Sequence, residues 1–326
     1  MRPWGPIDWL LSKLPNVSEP VIVVGALAAE ERCKAVPVTA VARGVRSILF
    51  LRIDDPQSRF TETIDAKVAA NLAALEKANV KPWAIEHAFL FARDDLIAQL
   101  FNSIWRDNTD EEITLWLDIT CLPKRFFFFL VKMAMRDERV RTLLATYTQP
   151  EPGRYTTDHL AEDPVEVQPL PAFGLVKNEP EQLVVAVGFE ALGLAQLLSQ
   201  FRETSREVYL LIPFPPGQPY SKRIWQTVQS IGPPADSNIR RLHALNPFDA
   251  YTVIENLVDN GTLQANPPAL APYGPKPLSL GMCLFALDYG AAVYYTQPAL
   301  YHPDYTTGIG TTWAYCLKLN GVAVRP

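Results

Sequence analysis

The sequence predicts an α/β protein built from two tandem Rossmann-like units with mostly parallel sheets, related by internal duplication. The first observation behind this prediction is the alternation of continuous apolar runs with helix-type segments, which is typical of parallel sheets covered by helices on both faces. The second is that five landmarks recur in the same order in the two halves. The third is size: 326 residues, of which 48% are hydrophobic, suit two domains better than one core.

The internal repeat defines the predicted domain boundaries. The first fifteen residues are expected to form a short amphipathic helix, because Asp8 interrupts their apolar part and no small-residue cleavage site follows. Between the units lies a stretch rich in proline and acidic residues. The predicted order is an N-terminal helical segment (1–19), unit 1 (20–155), a linker (156–180), unit 2 (181–305) and a C-terminal strand or hairpin (306–326).

The first two landmarks are predicted strands. An apolar run ending in glycine and opening a helix occurs at Val21–Glu31 and again at Leu183–Gly193. A second apolar run followed by a polar loop occurs at Ile48–Phe60 and at Val208–Arg223. Runs of Val, Ile and Leu without alternation indicate strands buried on both faces.

The other landmarks are a weaker strand feeding a helix, a Pro-Lys pair before a strongly apolar helix, and the tetrapeptide Tyr-Thr-Gln-Pro. The tetrapeptide is identical in the two halves and closes both repeats. The three pairs of segments are Ala84–Phe101 with Ile239–Val258, Leu115–Val131 with Ala269–Leu287, and Tyr147–Pro150 with Tyr295–Pro298.

The Pro-Lys landmark is the best candidate for a ligand site. Ligands of open α/β sheets collect at the carboxyl ends of the strands, where helix amides carry partial positive charge and favour phosphate. In unit 1, Thr120 offers a hydroxyl and Lys124 a full charge. In unit 2, Gly274, Lys276 and Ser279 offer the same combination. Each loop taken alone favours an ordinary strand-to-helix turn, and the recurrence makes a binding role an equally good interpretation.

Three further positions are weaker candidates. Gly25 and Gly188 follow the first strand of each unit, where glycine permits close approach of backbone or ligand. Glu190 follows a predicted strand end and suits a sugar hydroxyl, a base, or simply the first turn of a helix. The GxGxxG and GxxxxGK[ST] patterns are absent, which argues against a simple NAD dehydrogenase or a P-loop ATPase.

Catalytic and metal-binding motifs are also absent from the sequence. The four histidines show neither HxH nor HExxH spacing, and no GxSxG elbow occurs. We therefore predict no metal and no cofactor. The four cysteines form no CxxC pair, which with no secretion signal predicts thiols in a reducing cytoplasm.

Charge and hydropathy limit the classes of partner that the protein is expected to bind. A net charge of −5 disfavours non-specific binding of nucleic acid. No apolar stretch reaches the length of about 20 residues that a membrane helix needs. The predicted partners are a nucleotide-like small molecule and a protein partner or effector chain, with no membrane.

The order of strand, Asp-Ile-Thr, turn, lysine and apolar helix at Leu115–Val131, together with Gly-Pro-Lys at Gly274–Lys276, resembles the CRISPR-associated Rossmann fold (CARF) family. Two such units in one chain also resemble the SAVED domains of bacterial antiviral signalling. The resemblance implies that Thr120 and Lys124, and Gly274 and Lys276, help to hold a cyclic oligonucleotide. Unit 2 departs from the pattern, with Ala271-Pro272-Tyr273 before its glycine.

The resemblance implies a ligand sensor of antiviral defence. Members of these families usually drive an attached effector, and two repeats with short tails leave no residues for one, so the effector is expected on another chain. One alternative is a hydrolase or transferase acting on a nucleotide, with Glu190 or Asp118 as base and Lys124 or Lys276 stabilising developing charge. Against it, the sequence shows no assembled nucleophile, base and orienting group. A non-catalytic structural subunit of a larger complex is the third hypothesis.

Overall fold

The computed structural model divides the chain into two compact units. Unit 1 comprises Met1–His159 and Leu300–Arg325, and unit 2 comprises Leu160–Ala299 with Pro326. The structure describes residues 2–14, 19–105, 112–152, 161–164, 167–174, 182–188, 192–202, 207–214, 221–230, 238–259 and 267–326.

Short strands and helices alternate along most of the described residues. The strands are β1 (Trp4–Pro6), β2 (Val21–Ala26), β3 (Ser47–Asp54), β4 (Ala84–Phe89), β5 (Ile113–Asp118), β6 (Val140–Thr148), β7 (Ala161–Pro164), β8 (Gln168–Pro169), β9 (Gln182–Ala186), β10 (Glu207–Phe214), β11 (Ile239–His243), β12 (Ala269–Pro272), β13 (Tyr294–Tyr295), β14 (Pro298–Tyr301), β15 (Thr312–Leu319) and β16 (Val322–Ala323).

The helices fall between the strands. They are α1 (Ile7–Leu11), α2 (Ala35–Ala42), α3 (Thr61–Lys77), α4 (Asp94–Asn102), α5 (Lys124–Arg136), α6 (Leu194–Arg202), α7 (Ser221–Ser230), α8 (Pro247–Asp259) and α9 (Lys276–Tyr289). Among the described residues, Glu31–Lys34 and Ser103–Trp105 form short 3-10 helices.

The sheet of unit 1 is mixed, with a parallel centre. Its strand order is β1-β15-β6-β5-β2-β3-β4, and β16 pairs with β15. The five strands from β6 to β4 are parallel, whereas β15 runs antiparallel to both β6 and β1. Every residue of β5 is buried, as expected of a central strand covered by helices on both faces.

The sheet of unit 2 has the order β11-β10-β9-β12, and all of its strands are parallel. Val293 adds a parallel bridge to Leu270 of β12, in the place that β6 takes beside β5. The order β11-β10-β9-β12 therefore matches the order β4-β3-β2-β5 of unit 1. The predicted α/β class with mostly parallel sheets is confirmed, and this shared strand order is what an internal duplication predicts.

The apolar runs of the sequence supply the core of each unit. Phe126, Phe127 and Phe128 of α5 are completely buried. In unit 2, all ten residues from Pro277 to Ala286 of α9 are buried. Gly281 of α9 faces α8 so closely that an added Cβ would lie 2.9 Å from the Ala250 Cβ and collide with the Pro247 carbonyl oxygen.

The described helices include none that is both long and apolar enough to cross a membrane.

We expect Gly281→Ala to lower the free energy of unfolding by about 3 kcal/mol, because the added methyl group meets backbone that cannot easily move. Gly290→Ala at the end of the same helix is the control: its φ is +70°, but nothing lies within 4 Å of an added Cβ. That change should cost about 1 kcal/mol through backbone strain alone. Chemical denaturation measures both values, and equal losses would contradict the tight packing of α8 against α9.

Candidate functional site

The strand order places a switch point at the centre of each sheet. In unit 1 the chain passes from β2 to β3 and β4 on one side and then returns to β5 on the other side of β2. The loops that follow β2 and β5 therefore diverge, and ligands of open α/β sheets bind in the crevice between such loops. In unit 2 the equivalent loops follow β9 and β12.

Gly25 and Asp118 meet at the switch point of unit 1. An added Cβ on Gly25 would lie 3.3 Å from the Asp118 Cβ, which is tighter than ordinary van der Waals contact. The Asp118 side chain is 1% exposed. The predicted candidate Gly25 thus lies at the predicted edge, where it contacts the aspartate that ends β5.

The buried carboxyl group of Asp118 is surrounded by threonines. Its Oδ1 accepts hydrogen bonds from the Thr120 amide at 3.1 Å, from the Thr120 hydroxyl and from the Thr146 hydroxyl at 3.3 Å. The Thr120 hydroxyl in turn accepts a hydrogen bond from the Thr148 amide at 2.9 Å. A buried carboxyl group requires such partners, so the hydroxyl of Thr120 holds the loop after β5 against β6.

Sequence reasoning missed a second cluster, centred on Arg32. The guanidinium group of Arg32 donates to the Thr148 carbonyl at 2.9 Å and to the Tyr305 hydroxyl at 3.2 Å, and it forms an ion pair with Glu30. The Tyr305 hydroxyl donates to Glu30 at 2.5 Å, and the Thr306 hydroxyl donates to the same carboxylate at 3.0 Å. Glu30 and Arg32 follow β2, so this cluster lies at the same edge as Thr148 at the end of β6.

The charges of this cluster reinforce one another. Burial alone lowers the pKa of Arg32, but Glu30, with Tyr305, outweighs it and holds that pKa well above its usual value. Burial, followed by the charge of Glu30, raises the pKa of the Tyr305 hydroxyl well above its usual value. Arg32 therefore stays cationic and Tyr305 stays protonated at any physiological pH. No local spacing in the sequence relates Arg32 to Tyr305.

Lys124 is the first residue of α5, directly after the loop that Thr120 anchors. Its side chain is largely buried, at 9% exposure. Pro123 precedes it at the N-cap position, and the Pro123 carbonyl accepts the amides of Phe126 and Phe127 at 3.0 and 3.1 Å. The predicted lysine thus lies at a helix N-terminus on the carboxyl edge of the sheet, where the helix amides attract anions.

The loop after β12 resembles the loop after β5, since a proline at the N-cap position and a lysine as the first helical residue follow in both. Lys276 is the first residue of α9, and Pro275 precedes it at the N-cap position. Gly274 lies where an added Cβ would be 3.0 Å from the Ala186 Cβ of β9, so this loop packs directly on the neighbouring strand. The Ser279 hydroxyl is fully buried and lies within 3.3–3.4 Å of the carbonyls of Pro272, Gly274 and Pro275.

The two remaining predicted site residues are Gly188 and Glu190, and the structure describes only the first of them. Gly188 is buried just beyond the end of β9. Glu190 lies outside the described residues. The structure therefore brings Gly188, Gly274 and Lys276 to the switch point of unit 2, as it brings Gly25, Thr120 and Lys124 to that of unit 1.

The threonines of the repeated tetrapeptide contact the lysine loops in both units. In unit 1 the Thr148 amide bonds to Thr120 at 2.9 Å. In unit 2 the Thr296 hydroxyl shares a 2.7 Å hydrogen bond with the Tyr273 hydroxyl. The same threonine also fixes the turn before α6, because Gly193, with φ +78°, leaves no room for a Cβ beside the Thr296 side chain. The recurrence of Tyr-Thr-Gln-Pro thus has a structural reason.

The two switch points differ in charge. Asp118 ends β5, whereas Pro272 ends β12. The buried carboxyl group of unit 1 has no equivalent at this position of unit 2. In the part of the chain that the structure describes, no group of three or more His, Cys, Asp or Glu side chains could hold a metal ion.

One acidic residue next to the site has a strongly altered pKa. Asp55 follows directly after β3. Burial raises the pKa of Asp55 to about 6, although Arg52 acts in the opposite direction. The folded protein therefore holds a proton on Asp55 at mildly acidic pH.

Comparison with known proteins finds a similar fold but identifies no family. No family model and no curated protein sequence matches the chain. Among solved structures, the chain is similar to a type III CRISPR defence DNA nuclease activated by cyclic oligoadenylate, with a TM-score of 0.51 at 10% identity. The match covers 85% of this chain and 65% of the nuclease, so the chain spans just under two thirds of that protein. At this identity the likeness concerns the fold alone.

Two further matches are weaker. The cytoplasmic domain of a prokaryotic cation chloride cotransporter has a TM-score of 0.25 at 8% identity, over 87% of this chain and 96% of that one. Phosphoethanolamine N-methyltransferase 1 of Haemonchus contortus has a TM-score of 0.23 at 12% identity, over 81% and 71% of the two chains. Neither likeness carries an argument about this protein.

We expect Thr120→Val to lower the free energy of unfolding by about 2 kcal/mol, because it leaves the buried Asp118 carboxyl group and the Thr148 amide without that hydroxyl. Thr142→Val is the matched control, since the Thr142 hydroxyl is equally buried but has no hydrogen-bond partner. That change should be neutral or stabilising. Chemical denaturation of the two variants checks this, and equal losses would contradict the role of Thr120.

We expect the stability of the protein to depend on the protonation of Asp55. The folded pKa of about 6 lies above the unfolded value of about 3.9, so the contribution of Asp55 is fully present below about pH 4. It is lost as the pH rises to about 6 and above. Asp55→Asn should remove this loss, so that its advantage over the wild type grows from about pH 4 to pH 7. Unfolding free energies across that range measure it, and a constant difference would contradict the raised pKa.

Proposed function

We propose that this protein is a sensor that binds a nucleotide or another phosphorylated small molecule at its switch points. The observation that carries the proposal is the recurrence of one arrangement: in each unit a lysine begins the helix that follows the central strand (Lys124 of α5 and Lys276 of α9). Each lysine stands beside the helix amides at the carboxyl edge, and this combination of full and partial positive charge suits phosphate.

The class of ligand follows from the resemblance and the fold together. The sequence resembles the CARF and SAVED families, and the fold is similar to that of a defence nuclease activated by cyclic oligoadenylate. We propose a cyclic oligoadenylate as the first ligand to test.

The proposed role is that of a sensor working with an effector protein in antiviral defence, in the cytoplasm. The enzyme hypothesis is weakened in unit 1, because Asp118 is buried and already receives hydrogen bonds from Thr120 and Thr146. A base in that position has no direct access to a substrate.

We expect isothermal titration with cyclic oligoadenylates, AMP and ATP to detect binding that weakens as salt is added. Lys124→Met and Lys276→Met keep the aliphatic stem and remove the charge, so each should lower the affinity about tenfold or more if its loop holds a phosphate. Lys81→Met is the matched control, because Lys81 is exposed and precedes β4 at the opposite edge of the sheet. The affinity of Lys81→Met for each compound should equal that of the wild type.

The proposal is wrong if the wild type binds none of these compounds, or if both lysine variants bind as the wild type does. Release of a product from the bound compound would instead support the hydrolase or transferase. Co-purification with a large complex in the absence of any ligand would support the structural subunit.

A further inference from the structure

An exposed phenylalanine ends a buried strand at the carboxyl edge of unit 2. In β10 the five residues before the last one are buried, and then Phe214 is 56% exposed. Its backbone is held in the sheet, since Phe214 pairs with His243 of β11 and its carbonyl accepts the Ala244 amide at 3.1 Å. The backbone of Phe214 is therefore held by hydrogen bonds to the neighbouring strand, while its ring is accessible to solvent.

The fold does not require an aromatic residue at this position. In unit 1 the matching position is Asp54, which ends β3, pairs with Phe89 and accepts the Leu90 amide at 2.9 Å. The same backbone geometry thus carries a carboxylate in one unit and an exposed aromatic ring in the other. An apolar ring that contributes little to the core is a candidate for contact with a ligand.

The distance from the lysine loop fits a nucleotide. The strand β10 is separated from β12 only by β9, and neighbouring strands lie about 4.8 Å apart, so their carboxyl ends are about 10 Å apart. A nucleoside phosphate can bridge that span with its phosphate at Lys276. We propose that Phe214 stacks on the nucleobase of a nucleotide whose phosphate lies at the Lys276 loop. This inference rests on the proposed function and adds the contact that recognises the base.

Stacking fits the chemistry of the position. Every nucleobase has a flat π-face, and stacking on an aromatic side chain contributes to affinity without selecting one base. Strand pairing already holds the backbone of Phe214, so binding restricts only the torsions of its side chain. Phe214 thus distinguishes a nucleotide from a sugar phosphate, while Lys276 responds to the phosphate alone.

Phe89 provides a matched control. It is a phenylalanine of similar exposure, 50%, and it also ends a strand at a carboxyl edge. It lies at the end of β4, three strand spacings or about 14 Å from β5, and its ring contacts Phe91 at 5.8 Å between centroids. Loss of this ring should not affect the base of a nucleotide held at either lysine.

The experiment measures the affinity of AMP and of ribose 5-phosphate, which lacks the base, for the full chain and three variants. Phe214→Ala should weaken AMP binding about 5- to 100-fold and leave ribose 5-phosphate unchanged. Phe214→Trp should bind AMP at least as well as the wild type, because it keeps a stacking surface. Phe89→Ala should match the wild type with both compounds, and unfolding free energies verify that all variants are folded.

The outcomes separate this inference from the proposed function. If Phe214→Ala binds AMP as the wild type does while Lys276→Met does not, the stacking role is wrong and the proposed function stands. Equal weakening of AMP and ribose 5-phosphate would also overturn the inference, since it indicates a structural effect. If the wild type binds no nucleotide, including cyclic oligoadenylate, the proposed function is wrong and the inference falls with it.

Discussion

Parallel strand pairing is the constraint on which the rest of this structure depends. Parallel strands need crossover connections, here supplied by helices, so all their carboxyl ends lie along one edge of the sheet. Because β5 returns to the far side of β2, and β12 to the far side of β9, two loops diverge at the centre of that edge in each unit. The two lysine loops owe their position to this strand order. The core of apolar strands and aromatic helices holds the order in place, and polar contacts between Thr120, Asp118 and Thr148 fix the loop itself.

The two units use one backbone plan for different chemistry. Asp118 ends β5 of unit 1, whereas Pro272 ends the matching strand β12 of unit 2. Asp54 ends β3 of unit 1, whereas Phe214 ends the matching strand β10 of unit 2. Unit 1 thus has carboxyl groups at both of these strand ends and the Arg32 cluster at the same edge, whereas unit 2 has a proline and an exposed aromatic ring at the matching positions.

Sequence patterns predicted what is local and repeated. Apolar runs identified the parallel strands, and the Pro-Lys pair identified the start of α5 and α9, because burial on both faces and helix capping leave marks within a few residues. The Arg32 cluster was missed because it joins the loop after β2 to Tyr305 near the other end of the chain. The pairing of β15 between β1 and β6 was missed for the same reason. Contacts between residues so distant in sequence have no periodic signature.

The placement of β15 has a consequence for synthesis of the chain. Strand β6 is complete at Thr148, yet its antiparallel neighbour begins only at Thr312, after the whole of the second unit has been translated. At ordinary translation rates of about 5–20 residues per second, the nascent protein carries an open sheet edge for roughly 10–30 s. Unpaired strand edges template aggregation, so the nascent chain is exposed to wrong strand pairing during that interval.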